Sequence, residues 1–109
     1  MAFDEVLANR VRDSLAPHAD LGERRMFGGI AFMIGGNMAV GVIGDDLMVR
    51  LGPSDAEKAL NEPHVRPMDF TGKPMKGMVY VGPGGTASDD ELAGWVETGA
   101  AFAESLPPK

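Results

Sequence analysis

Apolar side chains fall on every fourth position near the start of the chain, at Phe3, Leu7, Val11 and Leu15, with Val6 alongside and Arg10, Arg12 and Asp13 between them. That spacing lays one apolar stripe along a helix over residues 4–16. Pro17 ends it, because the proline ring disfavours helical geometry in the residue before it. The period then changes. Residues 27–34, 38–43 and 47–51 are short apolar runs separated by Gly35-Gly36-Asn37 and Gly44-Asp45-Asp46. Gly and Asn tolerate the positive φ that tight hairpins require, so these runs read as a three-strand antiparallel meander. Residues 23–26 are expected to lengthen its first strand.

Ser54 and Glu57 stand at capping-box spacing, which predicts a short helix ending near residue 61, before Pro63. Arg66-Pro67 enforces extended backbone, so residues 65–70 are expected to be a strand or strand-like edge. Thr71-Gly72-Lys73-Pro74 turns the chain, and residues 75–81 form the second strand of the pair. Beyond the loop Gly82-Pro83-Gly84-Gly85, Ser88 and Glu91 repeat the capping box, with acids at the positive end of the helix dipole. This long helix is expected to run to about residue 105 and to bury Leu92, Trp95, Val96, Gly99, Phe102 (or Ala103) and Leu106. Strands bunched together rather than alternating with helices predict an α+β fold: a two-layer sandwich, mainly antiparallel, with its helices on one face.

Both sides of the strands are apolar. Ile30, Phe32 and Ile34 alternate with Ala31 and Met33, while Met38, Val40 and Val42 alternate with Ala39, Gly41 and Ile43. Antiparallel sheets usually hydrate the face that no helix covers. A greasy second face therefore predicts an association surface, with a homodimer as the first expectation. The chain holds eight methionines, a residue that fills irregular core gaps and lines adaptable binding surfaces. Most are expected in the core. Met68 and Met75, bracketing Phe70 and Lys73, are expected to be surface contacts, and Met33 and Met48 are placed on the association face.

Length and charge narrow the function. A chain of 109 residues is expected to be one domain, residues 1–109. The absence of cysteine excludes disulfide frameworks, thiolate zinc sites and thiol nucleophiles. No apolar run approaches the ~18–20 residues that span a bilayer, and Asp4 and Glu5 stand where a signal peptide needs positive charge. A soluble cytoplasmic protein is expected. The net charge is −6, and five acids but only one base fall from Thr86 onward. This balance opposes binding to phosphate backbones. The basic residues Arg24, Arg25, Arg50, Arg66, Lys73 and Lys76 lie in neighbouring segments and could converge on an acidic surface or a phosphate. Pairing with Asp45, Asp46, Asp69 and the acidic last helix is the favoured expectation.

No constellation of reactive groups emerges. His18 and His64 fall in separate loops and are expected to be solvated. Gly44-Asp45-Asp46 lacks the alternating acids and distal Glu of a calcium loop. Gly72-Lys73 is followed by Pro74, not by Ser or Thr as in a phosphate loop, and the glycines do not form a dinucleotide fingerprint. Ser54 and Ser88 are assigned to helix caps. No catalytic residue, cofactor or metal is expected, and the protein is not expected to be an enzyme.

Arg25-Met26-Phe27-Gly28-Gly29, then Gly36-Asn37-Met38-Ala39 and Asp46-Leu47-Met48-Val49-Arg50, resemble the N-terminal domain of the TfoX/Sxy family, named for regulators of bacterial competence. Pro67-Met68-Asp69-Phe70, Pro74-Met75-Lys76-Gly77 and Leu92-x-x-Trp95-Val96 extend the resemblance over nearly the whole chain. It implies a fold also seen in secretion-chaperone-like proteins and a regulatory role alongside the cyclic-AMP receptor protein, hence contact with transcription machinery. The full regulators carry a second, helical C-terminal domain, and this chain is expected to stand alone without it. The expected function is a non-catalytic protein-interaction domain using Arg25, Met26, Phe27, Gly28 and Gly29 together with the sheet face. The alternatives are a co-regulator touching DNA through Arg24, Arg25, Arg50, Lys73 and Lys76, and, more remotely, a small-molecule or enzymatic domain.

Overall fold

The computed structural model describes residues 3–18, 20–26, 28–67 and 77–107, and of Met26 the backbone. Helix α1 spans Glu5–Leu15. Asp4 caps it, its carboxylate accepting from the amides of Val6 (2.9 Å) and Leu7 (3.1 Å). The expected stripe is inward, with Phe3, Leu7, Val11 and Leu15 buried beside Ala8, but Val6 points outward at 70% exposure. Strands β1 (Leu21–Met26), β2 (Gly29–Ile34), β3 (Asn37–Ile43) and β4 (Asp46–Arg50) follow without interruption. Residues 21–26 are thus a separate strand, paired antiparallel with β2 from Leu21↔Ile34 to Met26↔Gly29. The meander has four strands, not three. Its extra member escapes a hydrophobic-pattern reading because Glu23, Arg24 and Arg25 fill its centre.

Helix α2 is Pro53–Ala59, and its N-cap is Gly52 at φ 87, with no side chain capping it. The expected cap at Ser54 is therefore corrected: Pro53 takes the first helical turn, where its missing N–H leaves nothing unpaired. Strand β5 is Val65–Pro67 and β6 is Met78–Val81. The remainder of the expected pair, residues 68–70 and 75–76, lies outside the described residues. A short 3-10 turn, Pro83–Gly85, occupies the expected loop. Helix α3, Asp89–Glu104, begins as read, with the Ser88 hydroxyl accepting from the Glu91 amide at 3.1 Å and donating to the Glu91 carboxylate at 3.0 Å.

The architecture is α+β, with one antiparallel six-stranded sheet in the order β1-β2-β3-β4-β6-β5. Residues of all three helices join a single cluster with Ile30, Phe32, Ile34, Val40, Val42, Leu47, Val49, Val79 and Val81. These strand positions share one face, so the helices cover that face. Against it α3 turns Leu92, Val96, Gly99, Ala100 and Ala103, while Trp95, Phe102 and Leu106 are half-buried at its flanks. Gly99 sets the approach, since a Cβ there would fall 2.5 Å from the Ala39 carbonyl oxygen.

A β-bulge corrects the expected alternation of β3. Phe32 pairs with Val40, but Met33 pairs with Met38, so Ala39 is an extra residue. An inserted residue shifts the facing of what lies beyond it. Met38 therefore shares the far face with Met33 instead of lying beside Val40, and Ala39 is drawn into the core. Asn37, just before Met38, is 2% exposed and donates from Nδ2 to the Pro107 carbonyl oxygen at 2.9 Å, tying β3 to the end of α3.

Candidate interaction surface

The sheet face away from the helices is built from one residue per strand in register: Arg24, Ala31, Gly41, Met48, Tyr80 and Arg66. Its centre is not bare. Ala31 and Met48 are 0% exposed and Gly41 is buried. Glycine is required at position 41, because a Cβ there would lie 2.5 Å from Met48 Cε and 2.9 Å from the Ile30 carbonyl oxygen. Met38 Cε reaches the same spot, 3.3 Å away. Met33, Met38, Ile43, Met78 and Tyr80, around this centre, are half-buried. Among the described residues, the large apolar side chains that stand exposed are Val6 and Leu60, neither of them on this face. Met48, expected as a surface contact, is thus a buried residue of the single chain; Met33 remains accessible.

Cations end the row rather than clustering on it. Arg24 and Arg66 lie on opposite edges of the sheet, about 24 Å apart at about 4.8 Å per strand. Arg66 donates to both Asp46 oxygens, at 3.1 and 2.5 Å, and stacks 4.9 Å from the Tyr80 ring centre. The Asp46 carboxylate holds this guanidinium above its ordinary pKa. Arg25 turns to the helix face and lies 5.5 Å over Phe3, and Arg50 lies 5.3 Å over Phe102. Among the described residues, Arg24, Arg25 and Arg50 form no ion pair. Phe27, Met68, Phe70, Lys73, Met75 and Lys76 lie outside the described residues. Gly28 takes the β1–β2 turn at φ 76, and Gly29 is buried where a Cβ would strike the Val42 carbonyl. Both glycines of that segment are thereby accounted for by chain geometry.

The other charged groups act as braces. Arg12 donates to Glu23 at 2.6 and 2.8 Å, joining α1 to β1, and these hydrogen bonds hold the Glu23 carboxyl below its usual pKa. Arg10 reaches Asp89 at 3.1 Å across α1 and α3. His18 is not solvated as expected. Its side chain is 15% exposed, with Nε2 3.1 and 3.2 Å from the Glu97 oxygens and Nδ1 3.3 Å from Glu104. Both nitrogens can donate only in the imidazolium form, and the bond to Glu97, aided by Glu104, raises the His18 pKa against the opposing effect of burial. A raised folded-state pKa gives stability that is complete below the ordinary histidine value, about 6.5, and is lost as pH rises through the folded value. Unfolding free energy is therefore expected to decline over this range by under about 1 kcal/mol, as befits pairs with exposed carboxylates. Urea titrations of the His18→Ala variant should lack that slope. An unchanged slope would refute the pairing. His64 is exposed and adopts φ 67.

Among the described residues no group of three His, Asp or Glu side chains is arranged to hold a metal ion, and no helix is long and apolar enough to cross a membrane. Hollows of about 190, 440 and 480 Å³ flank the helices. The smallest lies between α1 and β1, where Arg12, Glu23 and Arg25 meet Phe3 and Ile30.

This order of helix, meander, short helix, strand pair and long helix is the one expected from the sequence, with β1 added to the meander. The family model for the TfoX N-terminal domain matches residues 13–103. The chain belongs to the TfoX N-terminal domain family. Neither the curated proteins nor the solved structures contain a significant match. The matched TfoX region starts late in α1 and takes in all six strands and nearly all of α3, so it contains the whole far face of the sheet.

Proposed function

We propose that the protein is a non-catalytic protein-interaction domain, an accessory in transcription regulation of the competence-regulator kind, acting in the cytoplasm. Family membership supports the regulatory part of this reading. The observation that carries the interaction part is the far face of the sheet. A flat buried centre of Ala31, Gly41 and Met48 is rimmed by the half-buried Met33, Met38, Met78 and Tyr80, and none of the described helices lies over it. Methionine adapts to partners of varied shape. Among the described residues Arg10, Arg12, His18 and Arg66 are taken up in braces between elements, and no three His, Asp or Glu side chains are grouped to hold a metal ion, which favours contact over catalysis.

The first partner to test is a second copy of the chain. Sedimentation should show a dimer, and Met33→Lys, which places a charge on the accessible rim, should weaken it by about tenfold or more without lowering stability by more than about 0.5 kcal/mol. A protein that stays monomeric at high concentration would eliminate the homodimer. The transcription machinery would then be the partner to examine.

A further inference from the structure

The two edges of the sheet are unlike. The described part of the β5 edge is three residues and carries Pro67, and its Arg66 is held by Asp46 and Tyr80. Short, proline-bearing edges resist the addition of another strand. The β1 edge has six residues, contains no proline and pairs without a register shift along its inner side. Its hydrogen-bond phase can be read from its ends. The Gly35 amide donates to the Asp20 carbonyl at 3.1 Å, and the turn to β2 closes on the Met26↔Gly29 pair. Gly22, Arg24 and Met26 therefore direct their backbone groups at β2, and Leu21, Glu23 and Arg25 direct theirs outward.

The charges beside that open edge are selective. Glu23 is committed to Arg12 and feels the charge of Arg25 more weakly, whereas neither Arg24 nor Arg25 forms an ion pair among the described residues. They are successive residues on opposite faces of the sheet, so the edge presents one guanidinium on the far face and one, lying over Phe3, on the helix face. Self-pairing about a two-fold axis must place residues of like facing opposite each other. Centred on Arg25 it would oppose two arginines and centred on Glu23 two glutamates, each unfavourable, whereas centred on Arg24 the opposed arginines would be offset by two Glu23–Arg25 pairs. Two successive acids on an added strand would instead meet Arg24 on one face and Arg25 on the other. The 190 Å³ hollow, walled by Phe3, Glu5, Arg12, Glu23 and Arg25, opens beside the edge on the helix side, where the second of those acids would lie within reach of Arg25, the Glu23 carboxylate there being hydrogen-bonded to Arg12.

We propose that the outer edge of β1 binds an extended acidic peptide segment as a seventh strand, selected by Arg24 and Arg25. Backbone groups give such complexes affinity and side chains give them specificity. The charges of β1 would keep apolar strands away while admitting an acidic one. This goes beyond the interaction reading above and uses the backbone edge of the sheet rather than its methionine-rimmed centre, with only Arg24 common to both, so either can fail while the other stands.

The test uses the full chain and a synthetic peptide of threonine and valine with Glu-Glu at its centre, about eight residues long, a common strand length. A Lys-Lys peptide is the control. Saturable binding of the Glu-Glu peptide, absent for Lys-Lys, is expected. Arg24→Glu and Arg25→Glu should each weaken it by about tenfold or more, with folding checked by circular dichroism. Residue-resolved amide exchange should show new protection at Glu23 and Arg25 in the complex, and little change at Gly22 and Arg24, which are bonded already. Binding without protection at Glu23 and Arg25 would mean charge attraction without strand addition and would overturn the proposal. So would equal binding of both peptides, no binding at low salt, or protection of those amides in the free protein accompanied by dimerisation.

Discussion

Met48→Lys is expected to lower the unfolding free energy by about 3 kcal/mol, because it places an ammonium where no solvent reaches and leaves it without a partner. Met48 is 0% exposed, and its methyl group lies over Gly41, between Ala31 and Tyr80 in the cross-strand row. The nearest acid by register, Asp46, already holds Arg66. Lysine can bend its stem toward water, which keeps the effect below that of a fully trapped charge. Urea unfolding would show the midpoint falling at nearly constant slope. The comparison with Met33→Lys carries the meaning. The two methionines share a face, yet one variant should lose stability and the other association. A change below about 0.5 kcal/mol at Met48, typical of surface positions, would show that the face is open to solvent at its centre.

The second large effect is a contrast within one helix. Gly99→Ala in α3 brings a methyl group 2.5 Å from the Ala39 carbonyl oxygen and 2.7 Å from Val40 Cγ1. The oxygen belongs to the backbone of a central strand and cannot turn aside, so α3 must lift from the sheet, at a cost of about 2–3 kcal/mol for overpacking. Alanine's better helix propensity returns about 1 kcal/mol, leaving a net loss of about 1–2 kcal/mol. Gly94→Ala makes the same chemical change five residues earlier, where the added carbon meets nothing within 4 Å. There the propensity gain acts alone, and stability should rise by about 0.5–1 kcal/mol. Thermal melts of the two variants should move in opposite directions. Movement in the same direction would show that the close seat of α3 on β3 is wrong.

Much of this fold could be read from local pattern. The stripe of α1, the Ser88 box of α3 and the paired glycines at 35 and 36, which adopt φ 59 and 83, are short-range signals, and each element formed where it was placed. What escaped the sequence was decided at longer range. Strand β1 is polar because it lies at an edge, and its exposed Glu23, Arg24 and Arg25 carry no hydrophobic period. The bulge at Ala39 is fixed by the match between two strands, so β3 taken alone looked regular. His18 finds Glu97 and Glu104 from across the chain, 79 and 86 residues away in sequence. The surface was legible only as an apolar excess on both sides of the strands. Which of its methionines are sheltered depended on the absence of a side chain at Gly41 and on the facing of Met38. Among the described residues Arg24 and Arg66 do not meet, because sheet order, which local pattern leaves open, carried them to opposite edges.

The extra residue in β3 bears on how chains of this kind should be aligned. Removing Ala39 would leave Met38 and Val40 adjacent and still turned to opposite sides, so a shorter version could keep both surfaces intact while giving up the kink that receives the last helix. Length variation is normally sought in loops. Here a one-residue gap belongs in the middle of a strand, and an alignment that pushes it into the neighbouring turn would exchange inside for outside along half the ribbon.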